Sequence, residues 1–141
     1  MKSYFISILL LVFSHPVLSE TLLLDETNEI KDTIYNYFNG VKNSDEELLN
    51  QAFDLDKAHM KGFLVDTNDD RKLTATPITE VIKKWISREK RPEMNGEILS
   101  IQIFGPAATV TFNFNNQYLD FFHLAKTKNG WKIVNKFYIY K

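Results

Sequence analysis

The amino-acid sequence predicts an α+β domain in which three N-terminal helices pack on a curved antiparallel β-sheet. Two observations support this fold class. Apolar residues first recur at spacings of three and four, the period of an α-helix, and from Glu97 onward they alternate with polar residues, the period of a strand. The chain then ends in the segment YLDFFHLAKTKNGWKIVNKFYIYK, which has the pattern of two strands joined through Lys-Asn-Gly. A chain of 141 residues without internal repeats is expected to form one domain.

The start of the chain has the features of a secretion signal. Lys2 supplies a positive charge, residues 4–13 are apolar, and Pro16 precedes a stretch that ends in the small residue Ser19. We therefore expect a signal peptide over residues 1–19 and a single mature domain over residues 20–141. The apolar run is shorter than the roughly 20 residues that a membrane-spanning helix needs, so we expect a secreted or periplasmic protein without a membrane anchor.

Composition and motifs argue against several classes of function. The formal net charge is −1, so no nucleic-acid partner is expected. The sequence contains no glycine-rich phosphate loop, no HExxH motif and no serine nucleophile elbow, and we expect no cofactor. The acidic residues 66–70 have the spacing of a calcium loop, but Arg71 stands where that loop needs glycine and Pro77 where it needs glutamate. No metal site is therefore expected.

The helical part contains three amphipathic segments. Residues 24–41 form the first, whose apolar stripe consists of Ile30, Ile34, Tyr37, Phe38 and Val41. The second begins at Ser44, where a glutamate three residues later completes a capping box, and continues through Phe53. Thr76 and Pro77 open the third, because proline is tolerated at the first helical position. The basic residues around its end could contact an anionic surface, but we favour a solvated helix face; they are Lys83, Lys84, Arg88, Lys90 and Arg91.

The remaining apolar segments predict strands. Residues 57–65 indicate one strand or two short pieces around a bend at Gly62. Two half-buried strands follow the third helix and flank a Gly-Pro turn. The first of these is predicted to bury Leu99, Ile101 and Ile103 on one face.

The final hairpin has two alternative registers. If Asn-Gly forms a two-residue turn, Asp120 shares a face with Asn135, and His123 points the other way beside Lys136. If residues 128–130 form a three-residue loop, the last strand shifts by one and His123 lies opposite Asn135. We favour the first register because it groups apolar residues inside and leaves the lysines of the last strand outside. The inner face then carries Asp120, Phe122, Leu124, Ile133 and Phe137.

Three segments of the chain occur in an order typical of one known superfamily. They are IKDTIYNYFNGVKNSDEELLNQAFDLD, ILSIQIFGPAATVTF and FFHLAKTKNGWKIVNKFY. They resemble the nuclear-transport-factor-2-like (NTF2-like) superfamily, and more closely its "putative lumazine-binding" and SnoaL-like branch. The resemblance implies a cone in which a curved sheet wraps one long helix and encloses a pocket. The superfamily contains isomerases, dehydratases, epoxide hydrolases and cyclases besides members that only bind or dimerise, so it implies no particular reaction.

Two residues are candidates for acid–base catalysis. Asp120 lies between Leu119 and Phe121, so an inward-facing carboxylate there would sit among apolar groups, and burial moves the pKa of an acid toward the working pH. His59 is predicted in the strand after the second helix, from which it could face the cavity. Each has a simpler interpretation. Asp120 could pair with a lysine or cap a loop, and His59 could be a half-exposed residue at a strand start.

The candidate ligand-binding residues combine hydrogen-bonding groups with rings. Tyr35 or Tyr37 on the first helix could present a hydroxyl to the cavity, and Asn135 could act there as a donor. A small apolar or aromatic ligand could stack on Phe38, Trp85 and Phe122, although rings also simply fill an interior.

The outer face of the sheet is predicted to form a homodimer interface. The final hairpin interleaves apolar and basic residues there, which suits a partly apolar surface. These residues are Phe121, Val134 and Tyr138 together with Lys132 and Lys136.

Three functions fit the sequence. The first is an exported domain that binds a small molecule without catalysis. The alternative is a cofactor-independent isomerase, dehydratase or cyclase that uses Asp120 or His59 as a general base. The third is an accessory module with a filled cone that only pairs with another protein. An open cavity with polar groups in its wall distinguishes the first two from the third.

Overall fold

A computed structural model describes residues 17–65 and 71–141, and it contains three helices and six strands in those ranges. The helices are α1 (Val17–Asn43), α2 (Glu46–Ala52) and α3 (Ile78–Ile86). The strands are β1 (His59–Val65), β2 (Arg71–Pro77), β3 (Gly96–Phe104), β4 (Ala107–Phe114), β5 (Tyr118–Thr127) and β6 (Gly130–Tyr140). Residues 1–16 of the predicted signal peptide and the predicted polar turn at residues 66–70 lie outside the described ranges.

The six strands form one curved sheet in the order β2-β1-β6-β5-β4-β3. The α+β class is confirmed, with two corrections to the predicted arrangement. The β1–β6 pair is parallel, so the sheet is not wholly antiparallel. Only α1 and α2 precede the sheet, because α3 connects β2 at one edge with β3 at the other and therefore follows the first hairpin.

Helix α1 packs its apolar stripe against the inner face of the sheet. All five predicted stripe residues are buried, and Tyr37 contacts a surrounding cluster of rings that consists of Phe53, Trp85, Phe112, Phe114 and Phe122. Full burial of a large apolar side chain stabilises a fold by about 1.5–3 kcal/mol, so this cluster is a major source of the helix–sheet attachment. Within the described residues, no helix is long and apolar enough to cross a membrane.

Two helix starts differ from the predicted caps. The N-cap of α2 is Asp45, whose carboxylate accepts a hydrogen bond from the amide of Leu48 at 3.2 Å. Ser44, predicted as the cap, has a φ of 54° and donates its hydroxyl to the carbonyl of Arg88 instead. At α3, Pro77 is the N-cap without a side-chain cap bond, and the amide of Ile78 donates to the carbonyl of Ala58 in the α2–β1 connection at 2.9 Å.

Strand β3 contains an irregularity that changes which residues face the core. The register with β4 shifts between Ile98 and Ser100. Leu99 was predicted to be buried but is 51% exposed, and Ile98 packs against the core in its place. The reason is that one extra residue in a strand moves the following side chains to the other face.

The final hairpin contains a second irregularity. Thr127 pairs with Gly130, so the two-residue turn is Lys128-Asn129 rather than the predicted Asn-Gly, and Gly130 adopts a φ of 87°. Further along the hairpin the register shifts by one residue. Leu124 pairs with Ile133, but the next residue of β5, His123, pairs with Asn135 and not with Val134. Val134 is therefore the extra residue of a β-bulge.

The bulge makes the predicted inner face partly wrong. Phe122, Leu124 and Ile133 are buried as expected. Beyond the bulge, however, Lys136 is 4% exposed and points inward, while Phe137 is half-buried on the outer face. The lysines of the last strand are therefore not all outside, and His123 faces Asn135 as in the register that we did not favour.

Candidate functional site

A cavity of about 220 Å³ lies between the C-terminal half of α1, the end of α3 and the inner face of the sheet. Pockets for drug-sized ligands usually measure about 300–1,000 Å³, so this cavity suits a smaller molecule. Its apolar wall is formed by Val41, Met60 and four rings, which are Trp85, Phe114, Tyr118 and Tyr138.

The ring of Tyr138 is held against the backbone of β1. A methyl group at Gly62 would overlap the Tyr138 ring, so the absence of a side chain at this glycine allows the ring to lie where it does. On its other side, the ring makes an edge-to-face contact with Tyr118 at 5.9 Å between centroids. The position of this cavity wall is therefore set by packing.

Three polar side chains in the cavity wall contact one another, and we call Tyr37, Asp120 and Lys136 the polar triad. The Tyr37 hydroxyl donates a hydrogen bond to Oδ2 of Asp120 at 2.9 Å, and Nζ of Lys136 donates to Oδ1 at 2.6 Å. All three residues are buried. Each carboxylate oxygen accepts a bond from a protein donor, as a buried ionised carboxylate requires.

Burial governs the pKa values in the polar triad. Burial lowers the pKa of the Lys136 amine below its usual 10.5, and the Asp120 carboxylate opposes this shift. Burial also raises the pKa of the Tyr37 phenol well above its usual 10.0, and the charge of Asp120 adds to that effect whereas Arg91 opposes it. The Tyr37 hydroxyl therefore remains a donor at neutral pH.

Aromatic rings surround the Lys136 amine. Its Nζ lies 5.0 Å from the ring centroid of Tyr138, 5.6 Å from that of Tyr37 and 5.8 Å from that of Phe122. These cation–π contacts and the Asp120 carboxylate favour the charged form of the buried amine. Within the polar triad, the charges of Lys136 and Asp120 thus compensate each other.

Two arginines also line the cavity, Arg88 and Arg91, and we call them the mouth arginines. Arg88 is exposed and Arg91 is half-buried, and both line the cavity. Neither guanidinium makes an ion pair or side-chain hydrogen bond with another described residue. Nε of Arg91 is buried and has no partner within the described part of the chain. The sequence-based interpretation of these arginines as a solvated helix face is therefore wrong for Arg91.

The structure brings together only some of the predicted site residues. Asp120 and Trp85 line the cavity. Phe38 and Phe122 are buried behind its wall, where they pack on neighbouring rings. Tyr35 is 38% exposed and does not line the cavity, because it lies off the apolar stripe of α1.

Two other candidates lie on the outer face of the sheet. His59 pairs with Asn135 across β1 and β6, and neither lines the cavity. Asn135 accepts a hydrogen bond from Lys61 at 2.7 Å and lies 3.4 Å from Nδ1 of His123. Asp120 and His59 are therefore separated by the sheet. No group of described residues has the composition of a metal site.

Sequence reasoning left one feature of the cavity open, the choice between Tyr35 and Tyr37, and missed two others, Lys136 and Arg91. Tyr37 belongs to the apolar stripe of α1 and Tyr35 does not, so helical spacing was sufficient to choose between them. Lys136 was assigned to the outer face because no sequence pattern marks the bulge at Val134. Arg91 was missed because its position depends on a loop, in which its amide donates to the carbonyl of Lys42 at 2.8 Å.

The fold and cavity define an NTF2-like protein, and solved structures support this class. An NTF2-like protein of unknown function from Shewanella baltica OS155 superposes with a TM-score of 0.73 and 28% identity, covering 84% of this chain and 95% of that one. An NTF2-like protein of unknown function from Silicibacter pomeroyi DSS-3 shares the fold with a TM-score of 0.74 and 16% identity, covering 84% of this chain and 98% of that one. Another, from Methylobacillus flagellatus KT, shares it with a TM-score of 0.71 and 23% identity, covering 84% of this chain and 94% of that one.

The family is narrower than the fold. Residues 25–139 match the family described as "Putative lumazine-binding", and the chain belongs to that family. The resemblance found in the sequence is therefore confirmed. No curated protein matches the chain.

Proposed function

We propose that this protein binds a small molecule in its cavity and does not transform it. The observation that supports the proposal is a cavity of about 220 Å³ with an aromatic wall, in a chain of the family described as "Putative lumazine-binding". Rings such as Trp85 and Tyr118 offer apolar faces to a flat molecule. The ligand is a small aromatic or largely apolar compound.

The polar triad supports a binding role over a catalytic one. A general base needs a lone pair that can reach a substrate proton. Each oxygen of Asp120 accepts one hydrogen bond, from Tyr37 or from Lys136, and the Lys136 cation neutralises the carboxylate, so taking a substrate proton would break up this ion pair. Asp120 therefore acts as the partner of a buried lysine.

The test compares variants on opposite faces of β1. Met60 lines the cavity, whereas Phe63, three residues along the strand, points outward and is 41% exposed. Met60→Trp fills the cavity, and Phe63→Trp adds the same side chain outside it. Native mass spectrometry and calorimetry with a set of one- and two-ring aromatic compounds should detect binding by the wild type and by Phe63→Trp, but not by Met60→Trp. Equal binding by all three proteins would contradict the proposal.

One observation favours the enzymatic alternative, namely that the whole polar triad lines the cavity. In that reading Asp120 is the general base of an isomerase, dehydratase or cyclase and Tyr37 donates to the substrate oxygen. Incubation of any bound compound with the protein distinguishes the two functions. An unchanged mass and unchanged isomer composition support binding alone, whereas conversion that Asp120→Asn abolishes supports catalysis.

We further propose that the protein is exported after cleavage behind Ser19. The charged start, apolar run and small residue at this position support the proposal, and the family match begins only at residue 25. Mass spectrometry of the natively produced protein should give a chain that begins at Glu20. A chain that retains Met1 would contradict export by this route.

The outer face of the sheet is proposed as a homodimer surface, with a composition different from that predicted. Tyr138 and Lys136 point inward, and the face instead carries a row of rings in contact. Phe137 contacts Phe63 at 5.8 Å and Phe121 at 6.4 Å between centroids. Sedimentation analysis should give a dimer, and Phe63→Lys together with Phe121→Lys should give a monomer.

A further inference from the structure

The mouth arginines indicate what kind of ligand the cavity selects, and this inference rests on the proposed binding function. Of the described residues that line the cavity, three carry cations and Asp120 alone carries a carboxylate. Lys136 and Asp120 neutralise each other at 2.6 Å. The charge that remains uncompensated in the cavity wall therefore belongs to Arg88 and Arg91.

Hydrogen bonds to the end of α1 hold the segment that carries both arginines. The hydroxyl of Ser44 donates to the carbonyl of Arg88 at 2.7 Å, and the amide of Arg91 donates to the carbonyl of Lys42 at 2.8 Å. Nζ of Lys42 donates to the carbonyl of Met94 at 3.0 Å. The backbone beneath the two guanidinium groups is thus fixed before any ligand arrives, which reduces the entropy lost on binding.

Arg91 has a buried hydrogen-bond donor for which the described residues supply no acceptor. Its Nε is buried and lacks a partner among the described residues, and buried donors in native proteins are nearly always hydrogen-bonded. The planar guanidinium presents its donors in a fork that matches the two oxygens of a carboxylate. Arg91 lines the same cavity as Trp85 and Tyr118, so its guanidinium lies beside the rings of the wall.

We propose that the cavity binds a small aromatic carboxylate, with the acid group on Arg91 and the ring against Trp85 and Tyr118. Arg88, which is exposed, provides a second and weaker cation at the mouth. The negative charge of Asp120 is already paired with Lys136, so it opposes the carboxylate of the ligand only weakly. The protein thereby discriminates the acid from a neutral molecule of the same shape.

The experiment uses pairs of probes that differ only in charge. Phenylacetate is compared with phenylacetamide, and indole-3-acetate with indole-3-acetamide, by calorimetry on the full mature protein. We expect each acid to bind at least about tenfold more tightly than its amide, because hydrogen bonds to charged groups are stronger than neutral ones. Arg91→Met should abolish this preference, because the acids lose a charged partner and therefore lose more affinity than the amides, and Arg88→Met should weaken it by a smaller factor.

Lys90→Met is the matched control, because it removes a cation from the same segment at an exposed residue that does not line the cavity. It should retain the full preference for the acids. An independent readout on the wild type is the Nε–H resonance of Arg91, which should shift on addition of an acid and not on addition of its amide.

The outcomes separate this inference from the proposed function. Equal binding of acids and amides by the wild type, or a preference that survives in Arg91→Met, would overturn the inference and leave the binding function intact. An Nε–H resonance that does not respond to bound acid would overturn it equally. Failure of the wild type to bind any acid or any amide would contradict the binding function together with the inference.

Discussion

Two regions of the cavity wall carry cations that differ in their compensation. Lys136 is buried, bonded to Asp120 and surrounded by rings. Arg91 has a buried donor without a described partner, and Arg88 is exposed and makes no ion pair with another described residue. The charge of Lys136 is therefore compensated within the protein and supports the fold, whereas the charge of Arg91 is the one that we propose for the ligand.

The largest effect on stability is expected when the ion pair between Lys136 and Asp120 is disrupted. Lys136→Met leaves the Asp120 carboxylate buried without its counter-ion, which should destabilise the fold by about 3–5 kcal/mol. Urea denaturation measures the loss. Lys128→Met, which removes an exposed lysine from the β5–β6 turn, is the control and should change stability by less than about 0.5 kcal/mol.

The double variant Lys136→Met with Asp120→Leu tests whether the loss arises from the unpaired carboxylate. Because it removes both charges, it should regain most of the stability that Lys136→Met loses. If the single lysine variant proves as stable as the wild type, the pair is not the compensated structural element that we describe.

A smaller loss is expected when the Tyr37 hydroxyl is removed. Tyr37→Phe deletes one of the two hydrogen bonds to the Asp120 carboxylate and should cost about 1.5–3 kcal/mol. Tyr35→Phe, two residues away on the same helix and 38% exposed, should cost almost nothing. Thermal or urea unfolding of the two variants measures the contrast, and equal losses would show that the hydroxyl bond contributes little.

The same tyrosine predicts a change of stability with pH. Its pKa is raised in the folded protein, so the unfolded chain releases the phenol proton first, near pH 10.0. The stability contributed by Tyr37 is fully present below that pH and is lost as the pH rises toward the folded pKa, at up to about 1.4 kcal/mol per pH unit.

The measurement is the stability difference between the wild type and Tyr37→Phe. It should shrink when the pH is raised from 9 to 11. The lowered pKa of Lys136 acts in the opposite direction, but Lys136 is present in both proteins. A difference that stays constant over this range would contradict the raised pKa of Tyr37.

The smallest stability effect is expected at the mouth. Arg91→Met removes a guanidinium that has no described partner and keeps a flexible apolar stem, so stability should change by less than about 0.5 kcal/mol. Lys90→Met should behave in the same way. A loss of stability in Arg91→Met comparable with that in Lys136→Met would mean that Arg91 has a structural role, and it would contradict the contrast between these two cations.

The sequence predicted those parts of the molecule that depend on periodicity. The stripe of α1 and the inward position of Asp120 followed from residue spacing and from the apolar neighbours of that aspartate. Strand β2 was missed because its sequence RKLTATP alternates weakly and is mostly exposed. The partners of Asp120 could not be predicted, since Lys136 reaches it only through a change of register and Tyr37 only through the packing of α1 on the sheet.

The bulge at Val134 has a consequence for comparisons among relatives. Side chains on β6 face inward at odd positions before it, as Trp131 and Ile133 do, and at even positions after it, as Lys136 and Tyr138 do. A family member that lacks the extra residue would present a different set of side chains to its ligand even if its strand sequence were otherwise identical. One insertion or deletion at this point is therefore enough to change which side chains line the cavity, while the fold stays the same.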